Sequence, residues 1–195
     1  MAARRFKHDT RQAGPARVTP AGPLALPGVG GDVVVVAAGT GGVSALGSLL
    51  RHLPANYDAP ILVALRFEGQ PPSTILEILH GYSSVPLGYA RNGARVRSRL
   101  VFLAPVGHHL LVKAPNVLVV EPGGPSDILV PTADRLFTSA AAVYGRRVVG
   151  VVLSGRSHDG TKGLIDIEAA GGVAIVQLPE TAGSAEMPSA AIRND

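Results

Sequence analysis

Two short apolar runs, each followed by a turn and then by an apolar pattern with helical spacing, constrain the fold of this chain most strongly. The first run occupies residues 32–38 and the second residues 61–65. Runs of this kind are typical of strands buried on both faces, as in a parallel sheet between two layers of helices. The same alternation returns after residue 130, with further predicted strands at 147–153 and 173–176.

Strands that alternate with helices predict an α/β fold with a doubly wound, mostly parallel sheet flanked by helices. Residues 85–121 depart from this rhythm, because short apolar segments there are separated by turn signals such as Pro115-Asn116. Such segments are typical of antiparallel strands and of a hairpin. We therefore expect one α/β domain over residues 32–195 that includes an antiparallel hairpin. The total length of 195 residues fits such a domain with a modest extra segment.

Helix starts are predicted at three places by residues that suit a first helical turn. Ser73 is expected to cap a helix that continues through residue 79. Pro131-Thr132 is expected to open a helix, because the N–H that proline lacks would have no partner in the first helical turn. Pro188 is expected to start a last helix near the end of the chain.

Residues 1–31 form a leader of different composition. They contain four prolines among glycines and alanines and show no sustained apolar period, which predicts a disordered or loosely attached segment. The net charge of +4 belongs to this leader, because acidic and basic side chains balance in residues 32–195. A basic leader has two interpretations: contact with nucleic acid or an acidic partner, or a solvated tail without a partner.

The composition excludes several classes of function. The absence of Cys removes disulfide scaffolds, thiolate nucleophiles and Cys-ligated metals, and it is compatible with the cytoplasm. Aromatic residues make up only 4%, which disfavours a stacking platform for single-stranded nucleic acid. No apolar run approaches the ~20 residues that span a bilayer. No spacing of His and carboxylate residues predicts a metal site, so neither a metal nor another cofactor is expected.

Three loops are candidates for a ligand site, because ligands of such sheets bind beyond the carboxyl ends of the strands. They are residues 39–42, 66–72 and 154–160. The first, Gly39-Thr40-Gly41-Gly42, leads into a predicted helix, so its N–H groups can face an anion, although the same glycines also suit a tight turn. Asp159-Gly160 in the third loop is a turn signature by itself, in which the Asp caps the helix that follows.

Three motifs in this order resemble the catalytic domain of the bacterial chemotaxis protein-glutamate methylesterases of the CheB type. They occupy residues 36–42, 100–109 and 150–160, with support from residues 131–137 and 186–188. The resemblance covers roughly the whole of the predicted domain. It implies a serine hydrolase with a Ser-His-Asp triad on an α/β sheet, which removes methyl groups from glutamyl methyl esters on the cytoplasmic helices of chemoreceptors.

The chain departs from this pattern at most of the positions that carry the chemistry. Gly39 falls at the position of the family's nucleophilic serine, and Arg66 falls at the position of its histidine. Asp159 keeps the aspartate, whereas Arg156 and His158 replace a methionine and an asparagine. The family's receiver domain is not expected and the C-terminal segment is expected to be shortened, while the resemblance still implies a place in a chemotaxis phosphorelay.

These substitutions predict impaired catalysis. Gly39 has no side chain to attack an ester, and Arg66 stays protonated at physiological pH, so it cannot act as a general base. The Ser-to-Gly change opens space, while the other changes add cationic or donor groups. We therefore expect an anion pocket in which Asp159 pairs with Arg66.

Two alternatives that involve a ligand follow for the function, beside a third in which the fold persists without any ligand and Arg66 and Arg156 are ordinary surface residues. In the first, the domain is an anion-binding pseudoenzyme or a binding module in a sensory assembly, with Thr40, Gly41, Arg156 and His158 around the anion. In the second, it is an active esterase with a shifted constellation of Thr40, His158 and Asp159. The resemblance implies a methyl-accepting chemoreceptor or another sensory protein as the partner and the cytoplasm as the location.

Overall fold

The structure is a computed structural model that describes residues 31–67, 71–113, 116–125, 127 and 129–193. The predicted leader lies outside these residues, apart from Gly31. The strands of the described part are β1 Val33–Ala38, β2 Ile61–Leu65, β3 Leu87–Tyr89, β4 Val101–Leu103, β5 His108–Lys113, β6 Val117–Pro122, β7 Val148–Val152 and β8 Val173–Val176. Its α-helices are α1 Gly42–Arg51, α2 Pro72–His80, α3 Ala133–Tyr144, α4 Thr161–Ala169 and α5 Glu186–Arg193.

Six of these strands form one parallel sheet in the order β3-β4-β2-β1-β7-β8. β1 lies inside the sheet, where Val35 pairs with Leu62 of β2 and with Gly150 of β7. The chain adds β2 and β4 on one side of β1 and later adds β7 and β8 on the other. The predicted α/β fold with a doubly wound, mostly parallel sheet is confirmed.

The hydrophobic core lies on both faces of this sheet. Successive side chains of a strand point to opposite faces, so Val35 and Ala37 join one cluster while Val36 and Ala38 join the other. The first cluster packs beneath α3, α4 and the β5–β6 hairpin, and the second packs beneath α1 and α2. Because both faces are covered, the uniformly apolar runs of the central strands are explained.

The irregular segment contains one antiparallel hairpin rather than four antiparallel strands. β5 and β6 pair antiparallel, as predicted. β3 and β4 instead pair parallel with each other and join the main sheet through the β4–β2 pair, so the prediction of antiparallel strands there is wrong. Strands of three residues carry too few side chains to indicate a pairing direction, and residues 90–100 supply a connection long enough for a parallel return.

Three helix starts differ from the prediction by a few residues. α2 begins at Pro72, which places proline in the first turn and Ser73 inside the helix, where it caps nothing. α3 begins after Thr132, so Pro131 precedes the helix. α5 begins at Glu186 and includes Pro188 in its first turn. Proline therefore indicated the position of each helix correctly, but it did not predict the first residue of the helix.

We predict that Val35→Asp unfolds the domain. Val35 is fully buried between β2 and β7, so the new carboxylate would lie in the core without a partner, at a cost of several kcal/mol. Urea denaturation followed by circular dichroism measures this loss. Val106→Asp is the matched control, because Val106 is 51% exposed and its replacement is expected to change the free energy of unfolding by no more than about 0.5 kcal/mol. A cooperative wild-type-like transition for Val35→Asp would contradict the assignment of β1.

Candidate functional site

The three candidate loops lie side by side, because β2, β1 and β7 are neighbours in the sheet. The carboxyl ends of parallel strands meet at one edge, and backbone hydrogen bonds join the loops there. Gly39 N donates to Ser154 O over 2.9 Å, and Arg66 N donates to Ala38 O over 2.9 Å. The loop after β1 is therefore fixed to its neighbours on both sides.

Gly39 is buried where the loops after β1 and β7 approach each other most closely. A Cβ atom added to Gly39 would lie 3.2 Å from Gly155 Cα and 3.5 Å from Met187 Sδ. A Cβ at Gly155 would lie only 2.0 Å from that sulfur. Gly155 is thus required by the packing of α5, whereas Gly39 leaves just enough room for a small side chain if its neighbours move by a few tenths of an ångström.

A buried serine of the loop after β7 is hydrogen-bonded to the backbone of the glycine loop. Gly41, with a φ of 77°, precedes α1, and no side chain caps this helix. Ser154 is fully buried; its Oγ donates to Thr40 O over 2.6 Å and accepts from Ser184 N over 2.8 Å. A Cβ at Gly41 would collide with Ser154 Oγ at 2.6 Å. In the first turn of α1 the N–H of Gly42 donates to Gly39 O over 2.7 Å, and the next N–H groups have no side-chain cap, which is an arrangement suited to a negative charge.

The side chain of Arg66 reaches from the end of β2 to the loop after β7, passing the end of β1. Its Nη2 donates to Ser157 Oγ over 2.8 Å and to Arg156 O over 3.2 Å. Ser157 adopts a φ of 110°, a left-handed conformation that is rare outside glycine. Among the residues that the structure describes, no carboxylate lies within ion-pair distance of Arg66 or Arg156. Within the described ranges, both acceptors of the guanidinium are neutral oxygens.

Asp159 does not pair with Arg66, and this prediction is wrong. Its buried carboxylate instead accepts from Ala133 N over 2.9 Å and from Asp134 N over 3.1 Å, so it caps the start of α3. The expected Asx cap of the following helix by Asp159 is also absent: α4 begins after Gly160, and the N–H of Gly163 in its first turn donates to Asp134 instead. A carboxylate that accepts two backbone N–H groups at a helix start is stabilised there and has little reason to turn towards Arg66.

A second carboxylate completes this junction. Asp134 Oδ1 accepts from Gly163 N over 2.7 Å and from Gly160 N over 3.0 Å. Burial, assisted by the neighbouring charge of Asp159, raises the pKa of Asp134 above its ordinary value, although the two N–H groups oppose this rise. The two aspartates therefore lock α3, α4 and the loop after β7 together.

The remaining predicted site residues lie at the surface and do not form a triad. Thr40, Arg156 and His158 are exposed. No hydrogen bond in the described part of the chain joins Thr40 to His158 or His158 to Asp159. The structure thus brings Gly39, Thr40, Gly41, Arg66 and Arg156 around one opening, but it does not assemble the shifted constellation.

A cleft of about 760 Å³ opens at this edge of the sheet. Its floor is the glycine loop with Arg66 and Arg156, and its walls are mostly apolar. Three wall residues, Ile75, Ile78 and Tyr82, recur at intervals of three and four on one face of α2 and of the turn after it. The remaining lining residues are Val43, Ser44, Phe67, Leu129 and Val130.

Sequence reasoning placed Ser157 in a candidate loop but missed its contact with Arg66, and it missed the apolar wall. Ser157 carries no local signal, because its partner Arg66 is 91 residues away in the chain. The wall had a signal in the sequence, because Ile75, Ile78 and Tyr82 recur at helical spacing. Only the structure shows that Ile78 remains 40% exposed.

Within the described ranges, no group of three His, Asp or Glu side chains could hold a metal ion. No helix in those ranges is long and apolar enough to cross a membrane.

Comparison with known proteins gives a consistent result over most of the chain. The profile of the CheB methylesterase family matches residues 34–195. The crystal structure of the Thermotoga maritima CheB methylesterase catalytic domain superimposes with a TM-score of 0.77 and 30% sequence identity, covering 85% of this chain and 89% of that chain. Similarity of this kind extends over the sheet, its helices and the loops at its carboxyl edge.

Curated relatives agree with this result. A relative from Leptospira interrogans is 30% identical over 161 residues, which are 83% of this chain and 83% of that protein. Protein-glutamate methylesterase/protein-glutamine glutaminase 3 of Anaeromyxobacter dehalogenans is 37% identical over 183 residues, covering 93% of this chain. A protein-glutamate methylesterase/protein-glutamine glutaminase of Archaeoglobus fulgidus is 34% identical over 162 residues. The chain spans 54% and 46% of the lengths of these last two proteins.

We predict that Asp159→Ala lowers the free energy of unfolding by about 1–3 kcal/mol, because the buried N–H groups of Ala133 and Asp134 lose their acceptor. Thermal and urea denaturation measure this loss. Asp58→Ala is the control: Asp58 is exposed, and its change is expected to stay within about 0.5 kcal/mol. Equal stability of the two variants would show that Asp159 does not cap α3.

Proposed function

Because this chain belongs to the CheB methylesterase family, we propose that it is a CheB-type domain in which ester hydrolysis is impaired and the former reaction site binds an anion. One observation carries the proposal: the guanidinium of Arg66 lies at the carboxyl edge of the sheet, beside a glycine loop that offers no hydroxyl at Gly39. The family gives the scaffold, and these two residues give the departure from its chemistry.

Hydrolysis of an ester by this scaffold requires a nucleophile and a base that accepts its proton. Gly39 has no attacking atom, and Arg66 cannot accept a proton at physiological pH. The removal of a triad member from serine hydrolases leaves about 10³–10⁴-fold acceleration over water, from binding and the oxyanion hole. The uncapped start of α1 can stabilise an oxyanion, but with both the nucleophile and the base absent the proposed turnover is too slow to be detected as released methanol.

The hydroxyl groups near Gly39 support this proposal rather than a substitute triad. Ser157 Oγ accepts hydrogen bonds from Arg66 Nη2 and from Asp159 N, so its partners are donors and no base is among them. Ser154 Oγ is buried and donates to Thr40 O. Thr40 is exposed, and its side chain makes no hydrogen bond to His158 within the described residues. A hydroxyl without a base remains a weak nucleophile at neutral pH.

The partner we propose is a methyl-accepting chemoreceptor or another sensory protein. The names of the relatives denote enzymes that act on protein glutamate and glutamine side chains, and the fold of this chain matches that of a CheB methylesterase catalytic domain. A domain that binds such a side chain without converting it would act as a binding module in a sensory assembly. The expected cytoplasmic location stays a prediction.

We predict that the purified chain releases no methanol above background from a receptor or peptide that carries glutamyl methyl esters. Thr40→Ala and His158→Ala are expected to give the same result as the unaltered chain. Gas chromatography of released methanol, or loss of a radiolabelled methyl group, measures the rate. Turnover that disappears in either variant would establish the shifted constellation and would overturn the proposed impairment.

We also predict that Gly39→Ser combined with Arg66→His restores weak esterase activity. The serine fits if Gly155 and Met187 yield slightly, because the added Cβ lies 3.2 Å and 3.5 Å from their nearest atoms. Gly39→Ala with Arg66→His is the matched control, since it has the same packing and the same imidazole but no nucleophile. Activity of the serine variant alone supports the proposal, whereas equal rates from both variants in folded protein would contradict it.

A further inference from the structure

The cleft has two chemically different parts. At its floor lie the glycine loop and the side chains of Arg66 and Arg156. Its wall on the α2 side presents Ile75, Ile78 and Tyr82. A small inorganic anion would use only the floor, and an apolar ligand would use only the wall. A ligand that matches both parts needs a negative group at one end and apolar neighbours beside it.

As far as the structure describes the chain, the groups that hold Arg66 do not neutralise its charge. Both acceptors of its hydrogen bonds, Ser157 Oγ and Arg156 O, are uncharged. The carboxylates nearest in the network are engaged elsewhere: Asp159 accepts from the start of α3, and Glu186 accepts from Ser157 N over 3.2 Å. Across the described residues, neither forms an ion pair with Arg66. A half-buried guanidinium in this state favours an anionic ligand strongly.

The chemistry named for the relatives limits what that anion is. Hydrolysis of a glutamyl methyl ester and hydrolysis of a glutamine side chain yield the same protein product, a glutamate with a free γ-carboxylate. The ester and the amide are neutral, so neither gains from a fixed positive charge as much as the carboxylate does. Arg66 therefore changes the preference of the site from the two substrates to their common product.

We infer that this cleft recognises the free γ-carboxylate of a glutamate in a partner protein and discriminates against its methyl ester and against glutamine. The inference rests on the proposed function, because a domain that hydrolysed the ester would also bind it productively. Arg66 binds the carboxylate, Ser157 positions the guanidinium, and the α2 face contacts the apolar residues that flank the glutamate. The domain thus binds its partner selectively in the demethylated state.

The size of the discrimination follows from the type of bond. A charge-assisted hydrogen bond from a guanidinium to a carboxylate is roughly twice as strong as a neutral one. Its loss in a partly buried site lowers affinity by about 10- to 100-fold. The effect decreases at high salt, because the cleft is open to solvent.

Three peptides of identical sequence test this inference, with glutamate, glutamine or glutamyl methyl ester at one position and apolar residues on both sides. Isothermal titration of the full chain measures each dissociation constant at low salt. We expect the glutamate peptide to bind at least 10-fold more tightly than the other two. Mass spectrometry of the recovered ester peptide shows whether it was hydrolysed during the titration.

Four variants separate the contributions of the two parts of the cleft. Arg66→Met is expected to remove the preference for glutamate, while Ser157→Ala reduces it partially because Arg66 loses its shortest hydrogen bond. Ile78→Ser is expected to weaken all three peptides in parallel, since the wall does not sense charge. Arg146→Met is the control: Arg146 is exposed and precedes β7, at the opposite edge of the sheet, so binding is expected to be unchanged.

The outcomes distinguish the inference from the proposed function. Equal affinities for the three peptides, or a glutamate preference that persists in Arg66→Met, would overturn the inference while leaving the impairment intact. Tighter binding of a phosphoserine peptide or of inorganic phosphate would assign the site to phosphate instead of carboxylate. Conversion of the ester peptide by the unaltered chain would overturn the proposed function itself.

Discussion

The hydrogen bond from Arg66 Nη2 to Ser157 Oγ fixes a permanent positive charge at the carboxyl edge of the sheet, and the properties of the cleft depend on it. The bond links the loop after β2 with the loop after β7, across the end of β1. Glycine at position 39 places no side chain in this path. A guanidinium at this place can bind an anion, but it cannot accept a proton at physiological pH.

Asp159 falls at the aspartate of the motif that resembles the family. Its contacts in this structure stabilise the start of α3. Its carboxylate is committed to the N–H groups of Ala133 and Asp134, which would otherwise remain unsatisfied at the start of α3. Together with Asp134, which accepts from Gly160 and Gly163, it holds the loop after β7 against two helices. The same contacts keep Ser157 and Arg156 in position opposite Arg66. Stability is thus reason enough for an aspartate at position 159.

The sequence was sufficient to predict the central strands, the loops at their carboxyl ends and the hairpin, because long apolar runs and turn residues are local signals. It was insufficient for β3 and β4, whose three residues do not indicate a pairing direction. It also misplaced Asp159, since opposite charges favour a pair with Arg66 and only the folded chain shows that backbone N–H groups lie closer. The contact between Ser157 and Arg66 could not be predicted, because it depends on the strand order and on a left-handed φ of 110° at Ser157.

A crystal structure of the chain with a glutamate-containing peptide tests the central claim most directly. The account predicts one glutamate carboxylate within about 3 Å of a guanidinium nitrogen of Arg66, with apolar side chains of the peptide against α2. A peptide that leaves Arg66 bound only to Ser157 and Arg156, or a side chain joined covalently to a hydroxyl of the site, would contradict it.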